Sequence, residues 1–136
     1  MIQKIRKKFT KREEGQALVE MALVIPILLL FFMGIFEFGR IFGSLMVINN
    51  LARDGVRHGV VGNNDTQIEE LIYENITWLD EENVTITITP TYSQRSKGEA
   101  LEVNVDYTVP IIMPFISGVL PNPFPLSANY TMRVER

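Results

Sequence analysis

The sequence contains no cysteine and only one histidine. Without cysteine, disulfide bonds, thiolate nucleophiles and zinc–cysteine sites are excluded, so the fold has to be held by packing alone. The histidine, His58, has no second histidine or cysteine nearby with which to form a zinc site. The chain also lacks a G-x-S-x-G nucleophile motif and a phosphate-binding glycine loop. We therefore expect a non-enzymatic protein with no catalytic residues, no metal and no cofactor.

Charge is almost absent from one long stretch near the N-terminus. Ala17 to Phe36 contains a single charged side chain, Glu20. A helix of this length spans about 30 Å at a rise of about 1.5 Å per residue, which matches one bilayer core. The apolar run is longer than that of a cleavable secretory signal, and the polar-to-apolar junction lies before it. The sequence therefore predicts a membrane span that persists in the mature protein.

Positive charge is concentrated before this span. Residues 1–15 carry six Lys or Arg against two Glu, whereas residues 16–136 carry seven basic against fourteen acidic side chains. By the positive-inside rule, the basic head stays in the cytoplasm and the body lies outside. We interpret residues 1–15 as a basic cytoplasmic leader, expected to be a flexible tail on the anionic inner leaflet. Nucleic-acid binding is disfavoured because the run ends at a span and has no aromatic interleaving beyond Phe9.

The transmembrane helix is predicted over residues 16–40, followed by an extracytoplasmic α+β domain over residues 41–136. At the start of this domain, apolar side chains recur every three or four residues, at Ile41, Leu45, Ile48, Ala52 and Val56. This spacing predicts that the transmembrane helix continues as a long amphipathic helix to about Arg57. We expect Gly59, Gly62, Asn63 and Asn64 to break it.

The rest of the chain predicts one more helix and a small sheet. A second amphipathic helix is expected from residue 64 or 65 to Leu79. Residues 83–89 and 101–108 alternate β-branched or apolar residues with polar ones, and the polar turn at 93–98 makes them a hairpin. Residues 127–134 form a weaker third strand. A small antiparallel sheet of about three strands, covered by the helices, buries all of these faces.

Between the second and third predicted strands lies a proline-rich segment, Val109–Leu126, which contains five of the seven prolines and no charged residue. Its prolines exclude a membrane span or a central strand. Two interpretations stay open. The segment packs on its own domain, or its apolar side chains, including Phe115 and Leu120, contact lipid or the helical stripe of a neighbouring subunit.

A charged cluster formed by Arg53, Asp54 and Arg57 lies near the end of the long helix, with the two arginines one turn apart. One interpretation is a solvated face with local ion pairs, which contribute little stability. The other is a contact with a neighbouring subunit or with lipid phosphate.

The run GQALVEMALVIPILLLFFMGIFEFGRIF, followed by LARDGVRHG, resembles the N-terminal signature of the TadE/TadG-like family. Members of that family are small membrane-anchored minor pilins of the bacterial tight-adherence (type IVc, Flp) pilus. The resemblance covers about a third of the chain, from Gly15 to about Gly59, and the closing NYTMRVE suits the family's usual end. Met21 stands where Flp major prepilins carry an aromatic residue, which favours a minor pilin over a major one.

The resemblance implies processing by a prepilin peptidase, which cuts such proteins after the last leader glycine. Here the cut would fall between Gly15 and Gln16, and Glu20 would be the fifth mature residue. In the family, this glutamate pairs with the positive amino terminus of an adjacent subunit. A carboxylate that costs roughly 2.5–3.5 kcal/mol at the bilayer centre would thus become half of an ion pair on assembly. The alternative is that Glu20 reaches the inner interface without a partner.

We therefore expect a TadE-like minor pilin or pseudopilin of the bacterial cytoplasmic membrane that takes part in assembling a tight-adherence pilus or related secretion fibre. It would cross the membrane once, N-in and C-out. Its expected partners are the membrane, a prepilin peptidase, other pilin-like subunits and the inner-membrane assembly platform, with no nucleic acid. The alternative is a membrane-tethered extracytoplasmic binding module that never enters a filament and has no use for a cut at Gly15.

Overall fold

The computed structural model describes the backbone of residues 2–135 and the side chains of residues 15–135. Two helices precede three strands, with the bounds α1 Ile2–Val60, α2 Asp65–Glu74, β1 Val84–Thr89, β2 Ala100–Val109 and β3 Phe124–Arg133. This order confirms the predicted α+β class, with a long N-terminal helix, a second helix and a three-stranded antiparallel sheet. The chain divides into two compact units between Phe36 and Glu37. We call the second one the α+β unit.

The first unit consists of the N-terminal part of α1. The helix begins at Ile2, so the backbone of the leader is helical where we expected a flexible tail. Every residue from Gly15 to Phe32 is exposed. Among the described residues, α1 is the one helix long and apolar enough to cross a membrane, and its most apolar 18-residue window has a mean hydropathy of 2.6. A helix that is apolar on all sides and uncovered by its own chain suits a lipid environment.

Within the α+β unit, α1 presents one apolar stripe to the core. The buried residues of this stripe are Ile41, Ile48, Leu51, Ala52, Val56 and Val60, and Leu45 packs against the same cluster. This confirms the predicted amphipathic helix. The sheet and α2 of the same chain cover the stripe, so the hypothesis that Ile41, Leu45 and Ile48 receive a segment from a neighbouring subunit is wrong.

Two glycines allow α1 to lie close to the rest of the core. A Cβ atom added at Gly55 would lie 2.9 Å from Cδ1 of Ile72 in α2. One added at Gly59 would lie 2.5 Å from Cδ2 of Leu101 in β2 and 2.8 Å from Cδ1 of Ile68 in α2. All three distances are shorter than carbon–carbon contact distances of about 3.5–4.0 Å. The helix axis can approach this closely only because neither residue has a side chain.

The expectation that Gly59 ends the first helix is wrong. Gly59 lies inside α1, which continues to Val60. The turn that follows contains Gly62, whose φ of 107° lies in the region that only glycine adopts readily. The two glycines therefore have different roles, packing at one position and chain reversal at the other.

Asn64 caps α2, as predicted. Its side-chain oxygen accepts the backbone N–H of Gln67 at 2.9 Å, and the Gln67 side chain accepts the N–H of Asn64 at 3.0 Å, which is a capping box. The predicted end at Leu79 is wrong, because α2 stops at Glu74. The amide of Asn75 donates to a carbonyl of the last turn at 2.7 Å, and such local bonding favours a helix end.

The sheet has the order β1-β2-β3, and both pairings are antiparallel. In the register, Val105 of β2 lies opposite Ile86 of β1 and Ala128 of β3. One face is packed in the core, and its buried residues are Val84, Leu101, Val103, Val105, Tyr107, Val109, Leu126 and Ala128. The predicted alternation is confirmed. β3 begins three residues earlier than predicted, at Phe124, which pairs with the last residue of β2.

We predict that Gly59→Ala and Gly39→Ala change the free energy of unfolding in opposite directions. Both residues lie in α1, and alanine favours helix over glycine by roughly 1 kcal/mol at either position. At Gly39 no atom lies within 4 Å of the new methyl group, so this gain should be retained. At Gly59 the methyl overlaps two buried side chains, and overpacking should cost roughly 1–3 kcal/mol.

The measurement is chemical unfolding of the detergent-solubilised chain, followed by fluorescence of Trp78, its only tryptophan. Equal stability of the two variants would contradict the packing role assigned to Gly59.

Candidate functional site

The predicted processing site lies on the exposed surface of α1. Among the side chains of residues 15–135, none lies within 4 Å of a Cβ position at Gly15, and Gln16 and Glu20 are both exposed. The side-chain amide of Gln16 donates to Oε1 of Glu20 at 3.1 Å, across one helical turn. Among the side chains of residues 15–135, no Lys or Arg pairs with Glu20. The carboxylate thus has a neutral donor from the residue that would become the mature N-terminus.

The charged cluster near the end of α1 does not form ion pairs among its own members. The guanidinium carbon of Arg53 lies 5.3 Å from the ring centroid of Tyr130 in β3, and Nη2 of Arg53 lies 3.5 Å from the Tyr130 hydroxyl. Within residues 15–135, Asp54 and Arg57 have no side-chain hydrogen bond or ion pair, and both are exposed. Arg53 therefore packs against the sheet, whereas Asp54 and Arg57 face solvent. Their contact with a subunit or with lipid stays a prediction.

The proline-rich segment divides between the core and the surface. Ile111 is buried, and Ile116, Leu120 and Phe124 are partly buried against the core. By contrast, the side chain of Phe115 is 75% exposed. The two residues singled out from the sequence, Phe115 and Leu120, therefore have different surroundings, and neither of the two interpretations holds for the whole segment.

A buried ion pair that sequence reasoning missed holds this segment to α1. Glu37 is fully buried, and its Oε1 accepts a hydrogen bond from Nη2 of Arg40 at 3.0 Å. Its Oε2 accepts the backbone N–H of Met113 at 3.1 Å. The same Nη2 of Arg40 also donates to the carbonyl of Pro110. We call these four residues the Glu37 clamp.

Helix geometry places both charges of the Glu37 clamp on one face, since Glu37 and Arg40 are three residues apart. Burying a carboxylate is costly unless it is paired and hydrogen-bonded, and here both oxygens have donors. The sequence signal was present: a Glu and an Arg at helical spacing directly after an apolar run. The sequence does not indicate the long-range partner of Glu37, which is the backbone N–H of Met113.

A cavity of about 360 Å³ is lined by Gly59, Gly62, Tyr92, Arg95 and Val134. Three nitrogens of Arg95 already donate to acceptors, namely the carbonyls of Pro90 and Asn63 and the carboxylate of Asp65. The arginine therefore joins the β1–β2 connection to the start of α2. Among the described residues, no three His, Asp or Glu side chains come together as a metal site requires.

The family model for TadE-like proteins matches residues 15–57. This match confirms the resemblance over a segment that starts at Gly15 and includes Glu20 and the charged cluster. No curated protein and no solved structure matches the chain. The match thus covers about a third of the chain and indicates a TadE-like domain there, while the sheet and the proline-rich segment lie outside it.

We predict that Glu37→Gln destabilises the α+β unit by roughly 1–3 kcal/mol, because it removes the counter-charge of Arg40 and places an amide where a carboxylate accepts two hydrogen bonds. Replacing both residues, as Glu37→Gln with Arg40→Met, should cost less than the sum of the two single changes. Urea unfolding gives the free energies. The rate of chymotrypsin cleavage after Phe115 reports separately on release of the proline-rich segment.

The matched control is Glu69→Gln, which removes one carboxylate from the exposed side of α2. It should unfold like the parent chain. Strictly additive single changes, or unaltered cleavage after Phe115 in Glu37→Gln, would show that the Glu37 clamp does not hold the segment.

Proposed function

We propose that this protein is a membrane-anchored, TadE-like minor pilin or pseudopilin that takes part in assembling a tight-adherence pilus or a related secretion fibre. In this proposal the protein lies in the bacterial cytoplasmic membrane, with residues 1–15 inside and the α+β unit outside. It works by binding other subunits and the assembly platform, so its role is non-enzymatic and involves no cofactor.

The observation that carries the proposal is that the TadE-like match begins at Gly15, the residue before the proposed cut. The exposure of Gly15 supports access by a peptidase, because none of the side chains described from residue 15 onward covers that position. The apolar residues that follow are exposed as well, and they are suited to lipid before assembly and to the apolar helices of other subunits afterwards.

Cleavage would change the electrostatics of the N-terminus in two ways. It would remove the leader, with its six basic and two acidic side chains, whose charges oppose withdrawal from the cytoplasmic leaflet. It would also make Gln16 the start of the helix, so that Glu20 lies near the free N–H groups and the positive end of the helix dipole. Both changes favour a subunit that leaves the bilayer.

Glu20 would then have a cationic partner available in place of the neutral amide of Gln16. The new α-amino group of an adjacent subunit is the partner that the proposal assigns to it. An ion pair between two copies in an apolar environment would fix their relative position along the fibre, because each carboxylate accepts one particular amine.

We predict that Gly15→Leu abolishes processing. With the prepilin peptidase co-expressed, the intact mass of the parent chain should fall by the mass of residues 1–15, whereas the mass of the variant should stay unchanged. Gly34→Leu is the control, since it makes the same change at a glycine in α1 with no atom within 4 Å of its Cβ position. Normal processing of Gly15→Leu would remove the basis for a pilin-like role and leave the tethered binding module.

We predict that Glu20→Gln leaves membrane insertion intact, or improves it, because a charge is removed from the apolar phase. Co-purification with other pilus components should fall instead. Membrane fractionation and co-purification are measured on the same cells, with Glu69→Gln as the carboxylate control outside the span. If Glu20→Gln behaves like Glu69→Gln in both assays, Glu20 has no role in assembly.

A further inference from the structure

The Glu37 clamp fixes the proline-rich segment to the part of α1 that directly follows the apolar run. Glu37 and Arg40 come one and four residues after Phe36, the last residue of that run. At about 1.5 Å per residue, both lie within roughly 6 Å of its end along the helix axis. Since Met113 and Pro110 bond to these side chains, the segment is held beside the residues that directly follow the apolar run.

The surface of the segment is apolar where it is exposed. Ile112, Phe115 and Val119 are 60%, 75% and 84% exposed, while Ile111 on the other side is buried in the core. Val109–Leu126 contains no charged residue. Three large apolar side chains are thus exposed within eight residues, and exposed apolar surface that is concentrated in this way often indicates a binding surface.

The backbone conformation of Phe115 supports a binding role for these exposed side chains. Its φ of 72° lies in the left-handed region, which aromatic residues adopt rarely and at an energetic cost. Because the side chain contributes little burial to the core, the cost of this conformation is not recovered by packing within the chain. The conformation instead presents the ring outward.

We propose that the exposed side chains of Ile112, Phe115 and Val119 insert into the outer interfacial region of the lipid bilayer. Interfacial segments combine apolar side chains that enter the acyl boundary with a polar part that stays outside. Two exposed aromatic residues of α1, Phe38 and Phe42, also follow this end of the apolar run in the sequence. The absence of charge means that binding depends on apolar burial and not on anionic lipid.

This inference rests on the membrane anchoring in the proposed function but not on cleavage or assembly. It adds a second membrane contact, formed by a segment more than seventy residues away from the span in sequence. The contact would restrict rotation of the α+β unit about the long axis of α1. The span would hold the unit to the bilayer at one point, and the segment would hold it at a second.

The test uses the full chain reconstituted in phosphatidylcholine vesicles. Because the chain has no cysteine, Val119→Cys and Phe115→Cys each provide a single site for a polarity-sensitive fluorophore. Two quenchers of the fluorophore are compared, namely iodide dissolved in the water and lipids that carry bromine on the acyl chain near the headgroup. We expect brominated lipid to remove most of the emission at both positions, and iodide to remove little.

Val61→Cys is the matched control. Val61 is also an exposed valine of the α+β unit, 48% exposed, but it follows the far end of α1, about 36 Å along the helix from Phe36. Its label should be quenched by iodide and not by brominated lipid.

Equal iodide quenching at positions 119 and 61 would overturn the inference. Protection from both quenchers that disappears at low protein-to-lipid ratio would also overturn it, because it would identify a second copy of the chain as the occupant. Alkaline extraction tests the anchor separately. Release of the chain from the vesicles by alkali would overturn both the anchoring and the inference, whereas a retained chain with iodide-accessible labels would overturn the inference alone.

Discussion

One continuous helix has to satisfy two different surroundings, and the change occurs at Glu37. From Ala17 to Phe36, α1 is apolar on almost every side, and Glu20 is its single charged residue. From Ile41 onward one apolar stripe is buried in the core, while other positions, including Phe42 and Met46, are exposed. A carboxylate at the change is tolerated because Arg40 and the N–H of Met113 supply donors to both of its oxygens. The position of these donors therefore determines where the packed domain begins.

Sequence periodicity identified the elements because each has one buried face. The stripe of α1 and the alternation of β1 and β2 follow directly from the helical and strand periods, and a core must cover them. The start of α2 could also be predicted, because Asn64 and Gln67, which form its capping box, are close together in the sequence. The early end of α2 was not predicted, because Ile76 and Leu79 continue the helical spacing of apolar residues. In the structure they lie after the end of the helix, where Leu79 is buried and Ile76 is partly buried.

Features that depend on contacts between residues far apart in the chain were missed, because local sequence patterns do not show which distant residues meet. Burial of Glu37 depends on a backbone N–H seventy-six residues later, and the packing role of Gly59 depends on Leu101 and Ile68. The proline-rich segment was left undecided because composition alone does not separate Ile111, which is buried, from Phe115, which is exposed. Within the candidate site, the apolar span and the position of Glu20 in it could be identified from the sequence. The contact of Arg53 with Tyr130 could not.

The close approach of α1 at Gly55 and Gly59 also limits how this sequence can change over time. A larger residue at either position is compatible with the fold only if a facing side chain becomes smaller, at Ile68 or Ile72 in α2 or at Leu101 or Val103 in β2. These positions should therefore vary together among relatives that keep the same packing, and for Gly55 this would link a residue inside the TadE-like match to elements outside it. A paired substitution pattern of this kind would report on the interior of the domain and would carry no information about which subunits the protein meets.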